Sequence, residues 1–377
     1  MKLLHTSDIH LGLRLCERPM NEDIEHLLKE IINIAIDEHC DGVIVAGDIY
    51  DRSNPGAESV AVFDRFVTEL AAAGIAVLAV SGNHDSPERV AYMASLLGKT
   101  GVHFSPVYDG RVEPVVLEDG LGKVNVWLLP FLRPSTVRAI YPEFDGESYT
   151  DAIEFAIAKL NVDESARNVM VTHQFVVDGE SENEGNVGGI QAVDYRVFAP
   201  FDYTALGHLH SPHHVGSDKV RYSGSPLKCS FSEVNDTKTV EIVELSEKGD
   251  VAITKIPLHP IHEMREIKGT YDYVMSLECR NLGDALDYTR IILTDDEDIV
   301  DVVQKLRVAY PNMLRLTYDN ARTREYRSVD TVETEEMDAL TPEDVFAELY
   351  ETQNNVAPGD AEMEIVKRIL KEIMEET

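Results

Sequence analysis

Basic residues are scarce in this chain. Its 377 residues hold 34 Lys and Arg against 68 Asp and Glu, a formal net charge of -34. A protein that grips nucleic acid through the phosphate backbone carries a basic footprint, so this balance speaks against free-standing DNA affinity. It does not exclude phosphoester chemistry, because part of the excess is a carboxylate cluster that divalent cations would neutralise and much of the rest lies in the C-terminal part. A DNA substrate would need a basic partner or a local patch. Cysteine is sparse too. Cys16, Cys40, Cys229 and Cys279 are scattered with no C-x-x-C pair, which predicts reduced, mostly buried thiols. No apolar run approaches the roughly 18 to 20 residues of a membrane span. The chain enters a strand-like run at once, without a basic leader or signal-type region. The expectation is a cytoplasmic protein without membrane contact. With 44% hydrophobic and 27% charged residues, it reads as an ordinary globular chain of more than one domain.

One short stretch organises what is present: Gly82-Asn83-His84-Asp85. Four other segments carry potential ligands of the same kinds, namely Asp8-Ile9-His10, Gly47-Asp48-Ile49-Tyr50-Asp51-Arg52, the lone His173, and Gly207-His208-Leu209-His210. Each follows an apolar run that reads as a buried strand: Leu3 to Thr6, Val43 to Ala46, Ile75 to Val80, Val169 to Thr172 and Tyr203 to Leu206. Strand ends that all carry Asp, Asn or His predict one shared rim. Seven candidate ligands, Asp8, His10, Asp48, Asn83, His173, His208 and His210, are too many for one ion and suit two.

Residues 1 to about 255 alternate strand and helix patterns. Asn21 is placed to cap a helix whose Ile24, Leu27, Leu28, Ile31, Ile32, Ala35 and Ile36 recur at helical spacing. A second helix runs from Ala57 to Ala73 and stops at Gly74, and Ser86-Pro87 opens a third that continues through Leu97. Acidic, Gly-rich residues 178 to 189 read as a mobile loop, and Val220 to Ser223, Thr239 to Leu245 and Val251 to Ile256 as a closing meander. The expected fold class is α/β (α+β): a two-sheet β-sandwich over residues 1–258 flanked by helices. Residues 263–330 are expected to form a small α/β capping domain, with strands at Tyr273 to Leu277, Arg290 to Leu293 and Met313 to Tyr318 and a helix from Ile299 to Tyr310. Residues 338–377 hold two short amphipathic helices, the first opened by Thr341 and Pro342, the second carrying Met363, Ile365, Val366 and Ile369 on its apolar face. Neither buries that face alone, so they dock on a partner or on their own domain.

Carboxylate, amide and imidazole ligands together suit Mn, Fe or Zn rather than Ca. Two such ions about 3.5 to 4 Å apart activate water, neutralise phosphate oxygens and stabilise both ends of an in-line displacement. The substrate class is then a phosphate ester, with Asp48 as the bridging carboxylate. His84, adjacent to Asn83 and itself free, is the catalytic candidate, stabilising the phosphorus centre or protonating the leaving oxygen. Asp51 is a candidate to orient it. Arg52 either meets a phosphate oxygen or pairs with a surface carboxylate, and His213 and His214 are near enough in sequence to line the site.

Asp-x-His, Gly-Asp-x-x-Asp, Gly-Asn-His-Asp, a lone His and Gly-His-x-His together resemble the signature of the calcineurin-like metallophosphoesterases. That resemblance implies a β-sandwich holding two metals through the seven ligands named, with His84 matching the catalytic histidine. Thr6-Ser7-Asp8-Ile9-His10-Leu11-Gly12, Gly188-Gly189, Phe201-Asp202-Tyr203, and Tyr222-Ser223-Gly224-Ser225-Pro226-Leu227-Lys228 with Ser230-Phe231-Ser232-Glu233 look like the SbcD family of nuclease subunits. This family implies Mn-dependent cleavage of duplex DNA ends and of single-stranded or hairpin DNA in repair, gated by the coiled-coil ATPase SbcC, whose base binds the terminal helices. It also implies a homodimer through nuclease-domain helices, for which Val60, Phe63, Phe66, Tyr92, Met93 and Leu96 are candidates. Asp51 stands where archaeal and eukaryotic relatives often have His. The strong acidity also departs from what a DNA-binding subunit leads one to expect, and it shifts DNA affinity onto SbcC.

Two other readings stay open. One is a two-metal phosphodiesterase or phosphatase of the same fold acting on small molecules or proteins, against which the cap and terminal helices weigh. The other is a non-catalytic scaffold, against which retention of all seven ligands and His84 weighs.

Overall fold

In the computed structural model, which describes residues 1–179, 192–297, 299–320, 346, 358–359, 363 and 365–366, the apolar runs become the parallel centres of two six-stranded sheets. The first is ordered Val251–Pro257, Thr239–Leu245, Lys2–Thr6, Gly42–Ala46, Ala76–Val80, Val102–Phe104, and its last four strands are parallel. The second is ordered His213–Val215, Ser217–Tyr222, Tyr203–Gly207, Arg167–His173, Gly122–Leu129, Val115–Asp119, and its middle four are parallel. Parallel strands are covered on both faces and so read as continuous apolar runs; every residue of Gly42–Ala46 is buried. Alternation then sorts the side chains. Leu3, Ile44, Leu78 and Val80 pack against Val126, Leu128, Val169 and Val171 between the sheets. Leu4, Val43, Val45 and Val77 share a core with Leu27, Ile31 and Phe66 of helices Asn21–Asp37 and Ala57–Ala72. Helices Pro134–Ile140 and Tyr149–Lys159 cover the other face of the second sheet through Val137, Ile153 and Ala156. Because the central strands are parallel, Thr6, Ala46 and Val80 end on one rim, as do His173 and Gly207. The loops leaving those ends carry the candidate ligands.

Several local expectations fail for identifiable reasons. Asn21 is the first helical residue rather than the cap: the fully buried Met20 anchors the chain there, and Glu22 and Asp23 supply the negative charge that a helix N-terminus favours. The helix opened by Pro87 stops at Val90, and Ala94–Leu97 is separate, because Met93 turns left-handed at φ 60° between them. No meander closes the fold. Ser217–Tyr222 joins the second sheet, and only Thr239–Leu245 and Val251–Pro257 form a hairpin, in the first; apolar alternation does not say which sheet a strand enters. Phe63 and Phe66 are 6% and 2% exposed and belong to the core, which leaves Val60, Tyr92, Met93 and Leu96 facing outward.

The chain divides into two units, Met1–Glu266 with Gly283–Arg290 and Tyr310–Arg315, and Ile267–Leu282 with Ile291–Ala309 and Leu316–Thr377. In the second, the run from Tyr273 to Leu277 is not a strand. Thr270 and Ser276 accept from the Tyr273 and Cys279 amides and cap two short helices, Tyr271–Met275 and Leu277–Arg280. Helix Val302–Ala309 follows. A separate three-stranded sheet is ordered Met264–Gly269, Tyr288–Leu293, Met313–Tyr318. The loop expected over 178 to 189, beyond residue 179, and nearly all of the two helices expected over 338–377 lie outside the described residues. Among the described residues no helix is long and apolar enough to cross a membrane.

One polar network is sealed between the sheets. His5 Nδ1 is 2.8 Å from the Tyr203 hydroxyl and its Nε2 is 3.2 Å from the Leu206 carbonyl. Nearby, the buried Glu241 carboxylate takes two 2.8 Å bonds from the Arg221 guanidinium. Burial pushes the His5 imidazole down from 6.5 to about 4, against a smaller upward pull from Glu241. The unfolded chain therefore takes up this proton at higher pH than the folded one. The stability that neutral His5 contributes is complete above pH 6.5 and is lost as pH falls toward about 4. Urea unfolding across that window is expected to show a shallower acid loss for His5→Leu than for the unsubstituted chain. Parallel pH curves would contradict this account.

Candidate metal centre

The loops leaving the strand ends adopt backbone conformations that L-residues rarely take. Asp8, His10, Asp48 and His208 have φ of 51°, 49°, 48° and 106°. Each such residue costs of order 1–3 kcal/mol, and the cost is concentrated on one rim. Hydrogen bonds hold it there. The Asp8 and His10 amides donate to the Gly47 and Asp48 carbonyls, both at 3.0 Å. The Asp8 carboxylate accepts from the His208 amide at 3.1 Å, and Asp48 Oδ1 accepts from the His84 amide at 2.9 Å. Glycine is required at three close approaches here: a Cβ on Gly47 would meet the His173 ring, one on Gly82 the Asp48 carboxylate, and one on Gly207 the Ala46 carbonyl.

The result is seven donor groups facing one another. Asp48 Oδ2 lies 3.3 Å from His173 Nε2 and 3.8 Å from His10 Nε2. His10 Nε2 and His210 Nε2 are 3.2 Å apart, and His210 Nε2 is 4.0 Å from Asp8 Oδ1. On the other side of Asp48, Asn83 Oδ1 lies 3.0 Å from both His173 Nε2 and His208 Nδ1. Two sets emerge, Asp8 with His10 and His210, and Asn83 with His173 and His208, and Asp48 stands between them. Burial pushes the Asp8 carboxyl up, His10 down to about 3 and His208 down to about 4, so both rings present lone pairs. Burial also opposes charge on His173 and Asp48, but their attraction prevails, raising the first and lowering the second. Four imidazoles, two carboxylates and an amide oxygen, with ring nitrogens converging on one another, fit a pair of borderline divalent cations.

His84 stands at the mouth of this cluster, its side chain 45% exposed and Nε2 4.0 Å from Asp48 Oδ2. Its Nδ1–H donates to the Asp51 main-chain carbonyl at 3.0 Å. Asp51 therefore meets His84 through its backbone, and its carboxylate faces the Arg52 guanidinium at 3.5 Å instead. Asp51 thus stands where it can orient His84, through its carbonyl rather than its carboxylate. His213 stacks on Tyr222 and His214 faces Asp218; neither joins the cluster.

Two carboxylates escaped the sequence reading. Asp85, 6% exposed, accepts from the Gly82, Tyr50 and Ile49 amides at 2.9, 3.0 and 3.1 Å, tying the Asn83 loop to the Asp48 loop. Its only signal was adjacency to His84. Glu233 meets His210 from a segment 23 residues away; its stretch Ser230-Phe231-Ser232-Glu233 stands out only as part of the SbcD resemblance, with no role attached.

Residues 1–212, more than half of the chain, match the calcineurin-like phosphoesterase family. The chain belongs to that family. Calcineurin-like phosphoesterases use divalent metals, in keeping with the donor set. Residues 260–354 match a second family, SbcD_C, described as the Type 5 capsule protein repressor C-terminal domain. The phosphoesterase is also similar to the SbcD subunit of the nuclease SbcCD from Staphylococcus epidermidis, at 29% identity over 320 residues, 83% of this chain and 84% of that protein. Two solved structures are more distant. TT1561 of Thermus thermophilus aligns at 12% identity and TM-score 0.41 over 67% of this chain and 98% of that one. A dimetal phosphatase from Danio rerio aligns at 11% and 0.41 over 68% and 95%.

Asp85→Ala would leave three amides without their acceptor. A loss of more than about 2 kcal/mol in urea unfolding is expected, and an unchanged midpoint would show that water replaces the carboxylate without cost.

Proposed function

We propose that this phosphoesterase is the nuclease subunit of an SbcCD-type complex. It acts as an Mn-dependent double-strand exonuclease and single-strand or hairpin endonuclease in double-strand-break processing. The observation that carries this reading is the sharing of Asp48 between two ligand sets with His84 beside it. The similarity to an SbcCD nuclease subunit, which runs well beyond the phosphoesterase match, supports a nucleic-acid substrate.

Asp8, His10 and His210 would hold one ion and Asn83, His173 and His208 the other, with Asp48 common to both. When bound, the pair supplies positive charge for the phosphate oxygens and acidifies water. The remaining work falls to the chain. The Asp51 carbonyl fixes His84 through Nδ1, so Nε2 is the atom presented to the phosphate, where it donates a proton or positive charge to the leaving oxygen. Asp85 holds the two loops that carry Asp48 and Asn83 at a constant spacing. On an end-labelled linear duplex with Mn at near-physiological salt, His84→Gln is expected to lower cleavage about 100-fold or more. Cleavage of small phosphodiesters alone, even with the ATPase added, would move the chain to the small-molecule enzymes of this fold.

Residues 1–258 form the nuclease domain in this reading, residues 263–330 a cap, and the segment 338–377 docks on an SbcC-type ATPase. The outward-facing Val60, Tyr92, Met93 and Leu96, exposed by 44%, 72%, 50% and 58%, are the homodimer surface. The net charge of -34 leaves DNA affinity mainly to the ATPase. A cytoplasmic setting accords with four free cysteines. Light scattering at micromolar concentration is expected to give a dimer that gains the ATPase only when the chain is intact. A monomer, or ATPase capture by a chain cut before Thr341, would refute the corresponding surface.

A further inference from the structure

The four imidazoles of the centre are not held alike. His173 donates Nδ1–H to the Ala46 carbonyl at 2.8 Å. His208 turns its Nδ1 toward Asn83, and His10 Nδ1 is buried without a partner. Only His210, among the described residues, has a carboxylate at its far nitrogen: Glu233 Oε1, 3.2 Å from Nδ1. Glu233 is 7% exposed, and its Oε2 accepts from the Cys229 amide at 3.1 Å and the Lys238 ammonium at 2.6 Å. Lys238, 4% exposed, also donates to Ser225 Oγ at 3.1 Å and to the main-chain carbonyl of His210 at 2.8 Å. A lysine has three N–H donors, and all three are used. One buried ion pair thus grips both the ring and the backbone of the same candidate ligand.

The His210, Cys229 and Glu233 donor atoms lie within 4.8 Å of one another, which on its own would suggest a further cation site. The Lys238 ammonium already neutralises the Glu233 carboxylate at 2.6 Å, and His210 Nδ1 carries the proton that Glu233 accepts. The arrangement is an orienting device instead.

We propose that Glu233, fixed by Lys238, is a positioning residue that sets the tautomer and aim of His210 and so tunes one of the two ions selectively. The inference rests on the two-metal reading. A carboxylate accepting Nδ1–H leaves the lone pair on Nε2, pointed at His10 and Asp8, and raises its basicity. The set around Asn83, His173 and His208 has no such support and does not depend on it.

The test is Mn titration of the full-length chain, followed by calorimetry and electron paramagnetic resonance, which distinguishes a coupled ion pair from isolated ions. The unsubstituted chain is expected to bind two ions with a coupled signal. Glu233→Gln is expected to bind one of them about 10- to 100-fold more weakly, with the other unchanged and an isolated-ion spectrum at intermediate Mn. Glu233→Asp should recover part of the loss. Two ions bound as in the unsubstituted chain would overturn the proposal, and so would equal weakening of both, the mark of a merely structural role. Should Glu233→Gln fail to fold, Glu233→Gln with Lys238→Met, which leaves no unpaired buried charge, is read by the same criteria. An unsubstituted chain that binds fewer than two ions would sink the two-metal reading itself, and this inference with it.

Discussion

The Asp48 carboxylate is the interaction on which the rest of the structure depends. It is 2% exposed, and an ionised group that dry must be paired or it loses its charge. One oxygen is fixed by the His84 amide; the other faces His173 from the second sheet and His10 from the first. The carboxylate is therefore satisfied only when loops from both sheets stand at the right spacing. Packing between the sheets, through Ile44, Leu78, Val126 and Val171 among others, sets that spacing.

Parallel strands explain why the groups meet at one rim. In a parallel sheet every C-terminal end falls on the same edge, which is where open α/β sheets place their sites. Here both sheets contribute, so the candidate ligands come together from two sheets. The left-handed backbone at Asp8, His10, Asp48 and His208 follows from that demand: a chain leaving a strand must turn at once if its side chain is to point back across the rim. The inter-loop bonds from Asp8, His10 and Asp85 make the turns tolerable. They also leave the His84 side chain more exposed than its neighbours, as the proposed contact with substrate requires.

The support around the centre is unequal. His173 leans on a backbone carbonyl and His210 on a buried Glu–Lys pair, while the buried Nδ1 of His10 has no partner among the described residues. A buried ion pair is weak evidence for stability, since well-packed apolar groups often serve as well. Behind one candidate ligand, such a pair fits the proposed control of direction and proton location.

Much of this was written in local sequence. Strands covered on both faces appear as unbroken apolar runs, and Asp, Asn or His directly after such a run has no place in a core, so the five strand ends and their seven polar groups were legible from the residues alone. What the chain does beyond nearest neighbours was not. Whether Ser217–Tyr222 enters one sheet or the other, whether Phe63 and Phe66 face in or out, and whether the run from Tyr273 to Leu277 extends or coils were decided by packing and by caps at Thr270 and Ser276. Asp51 lies three residues after Asp48, yet it meets His84 through a carbonyl that every residue possesses. Glu233, Lys238 and Asp85 take their places only through partners brought near by folding. Composition and periodicity report what a segment must bury, which is a local property; which atoms then meet is set by the whole tertiary arrangement.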